Sequence, residues 1–302
     1  MKYSSLFFFL LIYSIAQSQK PEIRNFKYSV HWKKGETAVY SISRIKQKEV
    51  NGTPQASNFN FDGQVYIKDS TSEGYTIEFL YKPSSTDFSN EAVEVGKYYK
   101  DLKLVYTTNS TGSFLKLLNW EEVRDFYVNQ FQKSIPASSD SQVLSVIENT
   151  KKMFSTEEAV ENSLIKEIQL FHSANGGIFS SKGDSLSTSF PNPFGGADIP
   201  SILKYQIKEV NKKGDYFLVN TSQKISKAGL RQFFESIMKN YKVTDENELK
   251  SFRSEISSFN MSDISELKVQ LSSGWPIYIE NTRKVNGLKM ANTEKIIIKR
   301  LL

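Results

Sequence analysis

The stretch Tyr75-Thr76-Ile77-Glu78-Phe79-Leu80-Tyr81-Lys82 constrains this chain more than any other. Side chains alternate across an extended backbone, so Tyr75, Ile77, Phe79 and Tyr81 share one side and Thr76, Glu78 and Lys82 the other. A strand of this kind must lay its apolar side on a core that it cannot supply alone. Leu80 interrupts the polar side, which is therefore expected to be partly covered. The same period of two runs through residues 26–118. Phe59, Phe61, Val65 and Ile67 flank Asp62-Gly63, read as a bulge or tight turn. Asn109-Ser110-Thr111-Gly112 carries turn chemistry. Strands joined by short loops predict an antiparallel meander.

At Asn119 the period changes. Asn119 and Glu122 have the spacing of a capping box, and Trp120, Val123, Tyr127 and Phe131 then fall on one helical stripe. Pro136 marks that helix's end. Val143, Leu144, Ile147 and Met153 suggest a second helix. Thr156 starts a third, with Val160, Leu164, Ile168 and Phe171 on one face and Asn175-Gly176-Gly177 as its stop. Strands return from Ile178, with a hairpin about Asn211-Lys212-Lys213-Gly214. A second helical excursion carries Leu230, Phe233, Phe234, Ile237, Met238 and Tyr241, then Leu249, Phe252, Ile256 and Phe259 behind a cap at Asp245. The last block is again extended, with Asn286-Gly287 as a hairpin signal.

The order is thus strands (26–118), helices (119–172), strands (178–225), helices (227–260) and strands (264–301). Segregated runs predict an α+β fold, not an alternating parallel sheet. One continuous antiparallel sheet, curved or half-barrel, with two helical insertions accommodates them if the final strand returns to the sheet begun by the first block. Residues 19–302 are read as a single domain.

Residues 1–18 read as a signal peptide: Lys2, an apolar run from Leu6 to Ile15, then Ala16-Gln17-Ser18. The run falls short of the about 20 residues that a membrane helix needs. The expected address is exported: periplasmic, outer-surface or secreted. The chain has no cysteine, so its stability must come from burial, not from disulfides. Its 21 Phe, 15 Tyr and 3 Trp supply large apolar areas for that. The formal net charge of +6 is scattered among acids. The short basic run Arg44-Ile45-Lys46-Gln47-Lys48 alternates as the wet face of a strand would. Nucleic acid is therefore not an expected partner.

Gly183-Asp184-Ser185-Leu186 resembles the signature of the GDSL serine esterases, over four residues of the chain. In that family the serine is served by a histidine near the C-terminus, within an Asp-x-x-His element. Here the two histidines, His31 and His172, both precede Ser185, and Tyr28 and Gln169 stand where the aspartate would be. A serine hydroxyl without a base is a weak nucleophile. The stretch is therefore read as a turn, with a hydrolase built from Ser185 and His172 as an alternative function. His172, at the end of a helical stripe, suits a dipole partner better than a catalyst. No cofactor and no metal site is expected, because thiols are absent and the two histidines are isolated.

Phe190-Pro191-Asn192-Pro193-Phe194-Gly195-Gly196 forms a stiff loop with apolar tips. Phe190, Phe194, Gly195 and Gly196 are candidates for a lid over a ligand. The signal sequence, the Lys/Asn/Ser/Ile-rich composition and the element Ser273-Gly274-Trp275-Pro276 resemble those of exported β-rich protein families of Gram-negative bacteria. The architecture is similar, by analogy, to the half-barrel lipoprotein carriers of the periplasm. Together these imply a non-enzymatic envelope or secreted protein that binds a lipid, another apolar small molecule or an envelope protein in a concave sheet face. A structural envelope component is the further alternative. Membrane association, if any, would be peripheral.

Overall fold

The computed structural model describes residues 22–50, 53–85, 99, 102–134, 148, 151–152, 154–190, 198–240, 259–287 and 290–301. Five strands come first: β1 (Thr37–Val50), β2 (Thr53–Ser70), β3 (Gly74–Pro83), β4 (Lys103–Asn109) and β5 (Phe114–Leu117). Helices α1 (Trp120–Ser134), α2 (Glu157–Leu164) and α3 (Lys166–His172) follow. Strands β6 (Asp184–Phe190), β7 (Ile199–Asn211) and β8 (Tyr216–Ile225) lead to helix α4 (Lys227–Asn240). The chain then forms β9 (Asn260–Gln270), β10 (Pro276–Gly287) and β11 (Met290–Leu301).

All eleven strands join one sheet in the order β5-β4-β3-β2-β1-β11-β10-β9-β8-β7-β6. Every neighbouring pair is antiparallel. The edge strands β5 and β6 do not pair with each other, so the sheet is open. The last strand does return to the first: β11 lies against β1, with Ile42 opposite Ile298.

The chain leaves the sheet at one edge, β5, and re-enters at the other, β6. Helices α1 to α3 make that crossing, and the apolar sides of the strands tell them which face to cover. Ile42, Phe61, Ile298, Ile279, Leu267, Val219 and Ile207 form one row in register across seven strands, each almost wholly buried. Burying a side chain of this size contributes on the order of 2 kcal/mol. Thr156 caps α2, accepting from the Ala159 amide at 3.2 Å. Ile165 leaves helical geometry (φ −119, ψ 35), so the single third helix expected from the sequence is two short ones. The break lets α3 sink inward: Glu167, Ile168, Leu170, Phe171 and His172 are all buried. α3 touches both β5 and β10. A second, smaller core lies under α4, where Phe190, Ile199, Phe233, Phe234 and Phe259 pack together.

Two glycine turns meet one valine. A Cβ on Gly112, in the β4–β5 turn, would lie 2.9 Å from Val30 Cγ1. One on Gly274, in the β9–β10 turn, would lie 2.7 Å from the same atom. Both residues have positive φ, 83 and 76, so glycine suits them twice over.

Three local expectations are corrected. Asp62-Gly63 is not a turn but the middle of β2, pairing with Ser41 and Tyr40. Gly63 is needed there because the Phe79 ring lies over it, 2.4 Å from where a Cβ would be. Asn119 does not cap α1 through its side-chain oxygen, which instead accepts from the Val105 amide at 2.8 Å. Only the Asn119–Glu122 side-chain contact of the expected box forms, at 3.0 Å. Asn286-Gly287 is not the centre of the β10–β11 turn but still part of β10, since Asn286 pairs with Ala291 and Gly287 with Met290. Residues 1–18, the suggested helix about residues 143–147 and the cap at Asp245 lie outside the described residues.

Candidate functional site

Moving two residues along each strand from the apolar row changes the character of the helix-bearing face. The next row reads Arg44, Phe59, Ile296, Asn281, Ser265 and Thr221. The row after it reads Lys46, Ser57, Glu294, Arg283, Asp263 and Gln223. Beyond these, Val285, Met261 and Ile225 belong to the second core. A polar belt therefore crosses the face between two apolar cores.

Charges withdrawn from water must be paired, and these are. Arg44 Nε donates to Glu167 Oε1, whose side chain is wholly buried. Burial alone would lower the Arg44 guanidinium's pKa, but Glu167 outweighs it and holds it well above the usual value. Lys166 Nζ donates to Glu294 Oε2 at 3.1 Å, and Lys46 Nζ lies 3.7 Å from Glu294 Oε1. Burial would raise the Glu294 carboxyl, yet Lys166, Lys46 and Arg44 together keep it below its ordinary range. Lys166 is lowered, first by burial and then by Arg283. Arg283 grips Asp263 with two nitrogens, Nε at 2.8 Å and Nη2 at 2.6 Å, the planar fork that only arginine offers. Asn281 Nδ2 donates to Ser265 Oγ at 2.9 Å. Glu167 Oε2, Asn281 Oδ1 and Tyr81 Oη are buried without a hydrogen-bond partner among the described residues.

At the β1–β2 and β10–β11 end the belt opens into a hollow of about 620 Å³. Lys46, Lys48, Ser57, Phe59, Arg283 and Glu294 line it, with Val285 beside them. Phe59 is 37% exposed here.

Sequence reasoning missed this site. Arg44, Lys46 and Lys48 share parity with the buried Tyr40 and Ile42, so they lie on the helix-bearing face, Arg44 largely covered and the two lysines exposed at the hollow. The signal was that shared parity. What concealed it is the partner of Arg44, which lies 123 residues away.

Ser185 lies inside β6, on the opposite face, in register with Lys204, Ser222 and Ile264. These residues border a second hollow of about 440 Å³. Gly183, with φ of 83, makes the turn just before it. His172 sits in the main core. Its Nδ1 donates to Gly112 O at 2.8 Å, and its Nε2 accepts from Tyr106 Oη at 2.9 Å, an assignment that satisfies both rings' neighbours at once. Trp32, Tyr106 and Phe171 surround the ring. The structure does not bring Ser185 and His172 together. Nor is His172 a charged partner for the α3 dipole, since burial pushes its pKa down to about 4.

Phe190 ends β6 inside the second core, and the Arg283 guanidinium lies 5.9 Å from its ring centre. Phe194, Gly195 and Gly196 lie outside the described residues. Among the described residues no group of three His, Cys, Asp or Glu side chains is placed to hold a metal ion. No described helix is long and apolar enough to cross a membrane.

No protein-family description matches the sequence, and no curated protein matches it. Among solved structures, the crystal structure of Rv2717c from M. tuberculosis aligns over 87% of this chain and 91% of its own, at 6% identity. Its TM-score of 0.24 carries no argument about fold or function.

Proposed function

We propose that this is an exported, non-enzymatic binding protein that takes a small lipid-like molecule into the hollow on the helix-bearing face of a half-barrel sheet. The observation that carries the reading is the hollow itself. It has a volume of about 620 Å³, within the roughly 300–1,000 Å³ usual for ligand sites. It lies where, among the described residues, two separate cores leave the sheet face uncovered, and a phenylalanine is exposed in it.

Curvature is supported by two contacts. β5 and β10 stand six places apart in the sheet order, about 29 Å if flat. Yet α3, seven residues long and so about 10 Å, touches both. Val30 likewise meets the turns of both regions. Export is supported by Lys2, the apolar run from Leu6 to Ile15 and Ala16-Gln17-Ser18.

Native mass spectrometry of gently purified protein, with solvent extraction of the same sample, tests the proposal. An adduct of a few hundred daltons that extraction releases is the expected result. A clean apo mass, together with no thermal stabilisation by any lipid-like compound, would overturn it.

A further inference from the structure

We infer that the hollow selects a single-chain amphiphile with an anionic head, a carboxylate or a phosphate. The hydrocarbon body rests on Phe59 and Val285, and the head lies between Lys46 and Lys48. This deepens the proposed function and rests on the hollow being a ligand site.

Charge balance carries the inference. Among the described residues, five cationic side chains stand around the belt and its hollow, Arg44, Lys46, Lys48, Lys166 and Arg283, against three carboxylates, Glu167, Asp263 and Glu294. The deeper cations are spoken for. Arg44 belongs to Glu167, Arg283 to Asp263, and Lys166 holds Glu294 at 3.1 Å. Lys46 is left at 3.7 Å from a carboxylate already engaged, with its side chain half exposed. Lys48 pairs with no acid among the described residues. The surplus positive charge is thus at the mouth, on neighbouring inward positions of one strand. Extended backbone puts alternate residues about 7 Å apart, a spacing at which two ammonium groups can converge on one anion.

Behind them the three pairs cancel in charge, so the net positive charge of the hollow rests on Lys46 and Lys48. Lys46 and Lys48 stand exposed at the mouth, so their attraction for an anion is screened by salt and is strongest at low ionic strength. A neutral amphiphile would leave the surplus unanswered. A cationic one would add to it.

Titration calorimetry of the full mature chain at low salt decides the matter, with decanoate, decanol and decyltrimethylammonium as probes. Decanoate is expected to bind at least tenfold more tightly than either of the others. The double variant Lys46→Gln/Lys48→Gln should lower decanoate affinity to that of decanol, with its circular dichroism unchanged, since both side chains are exposed at the mouth of the hollow. Equal binding of decanol and decanoate, or undiminished decanoate binding by the double variant, would overturn the charge selection and leave the proposed function standing. Silence from all three probes would overturn both. Co-sedimentation with phosphatidylglycerol vesicles, lost in the double variant and undiminished by excess decanoate, would assign the lysines to a membrane surface and also overturn the inference.

Discussion

Arg44 on β1 and Glu167 on α3 form an ion pair that ties the middle of the sheet to the helix layer. The two partners are unequal. Glu167 is wholly buried, whereas the Arg44 side chain keeps 21% of its surface exposed.

That inequality predicts an asymmetric response. Arg44→Met leaves an unpaired buried carboxylate and is expected to cost about 3–5 kcal/mol. Glu167→Gln leaves a cation that can swing toward the hollow and should cost less, about 1–2 kcal/mol. Arg44→Met/Glu167→Leu should regain most of the larger loss. Urea denaturation of the three variants checks this; equal single-variant costs would contradict it.

His172 predicts an acid weakness. Its folded pKa of about 4 lies below the ordinary 6.5, so the unfolded chain takes up the proton first. Stability from the neutral ring is complete above about pH 6.5, is lost as pH falls toward 4, and declines no further below it. The full loss is about 3 kcal/mol. His172→Asn keeps a donor for Gly112 O but strips Tyr106 of its acceptor. It should be less stable at pH 7.5 by about 1–2 kcal/mol, and its midpoint should fall less steeply between pH 6.5 and 4 than the parent's.

Gly63 predicts a size limit in mid-strand. Its added Cβ would lie 2.4 Å from the Phe79 ring, so Gly63→Ala should destabilise by about 1–3 kcal/mol. Gly63→Ala/Phe79→Leu should recover part of this, because the ring that must yield is gone. An additive double variant, measured by the same denaturation, would place the cost in the backbone instead.

Much of the fold could be read from period alone. Tyr75, Ile77, Phe79 and Tyr81 are buried together as their alternation requires, and β11 pairs with β1 as one continuous sheet demands. Gly63 could not be read, because its purpose is a ring two residues away on the next strand's register. The belt was hidden for a related reason. Alternation says which residues share a face; it does not say which part of that face a helix will cover. Arg44 and Lys46 look like solvated positions until Glu167 and Lys166, from the crossing helices, are placed above them.

Gly229 predicts how α4 is held. A Cβ there would lie 2.0 Å from Pro200 O on β7, so the helix can approach the strand this closely only with glycine. Gly229→Ala should loosen α4 and the core of Phe190, Phe233 and Phe234, at about 2 kcal/mol or more. Hydrogen exchange is the measurement: amides of α4 should lose protection while those of the β1–β11 pair keep theirs. Uniform loss across both would deny α4 its separate behaviour.

The place of β11 has a consequence for how the molecule is made. The last of the eleven strands in chain order fills the centre of the sheet, between β1 and β10. Until it arrives, the earlier strands can form only two separate fans, each with a naked edge seeking a partner. The pairing that unites them spans most of the sequence and is therefore slow to find. The two half-sheets can therefore be joined only when this strand finds its place between them, and until then each exposes an unpaired edge that can pair wrongly.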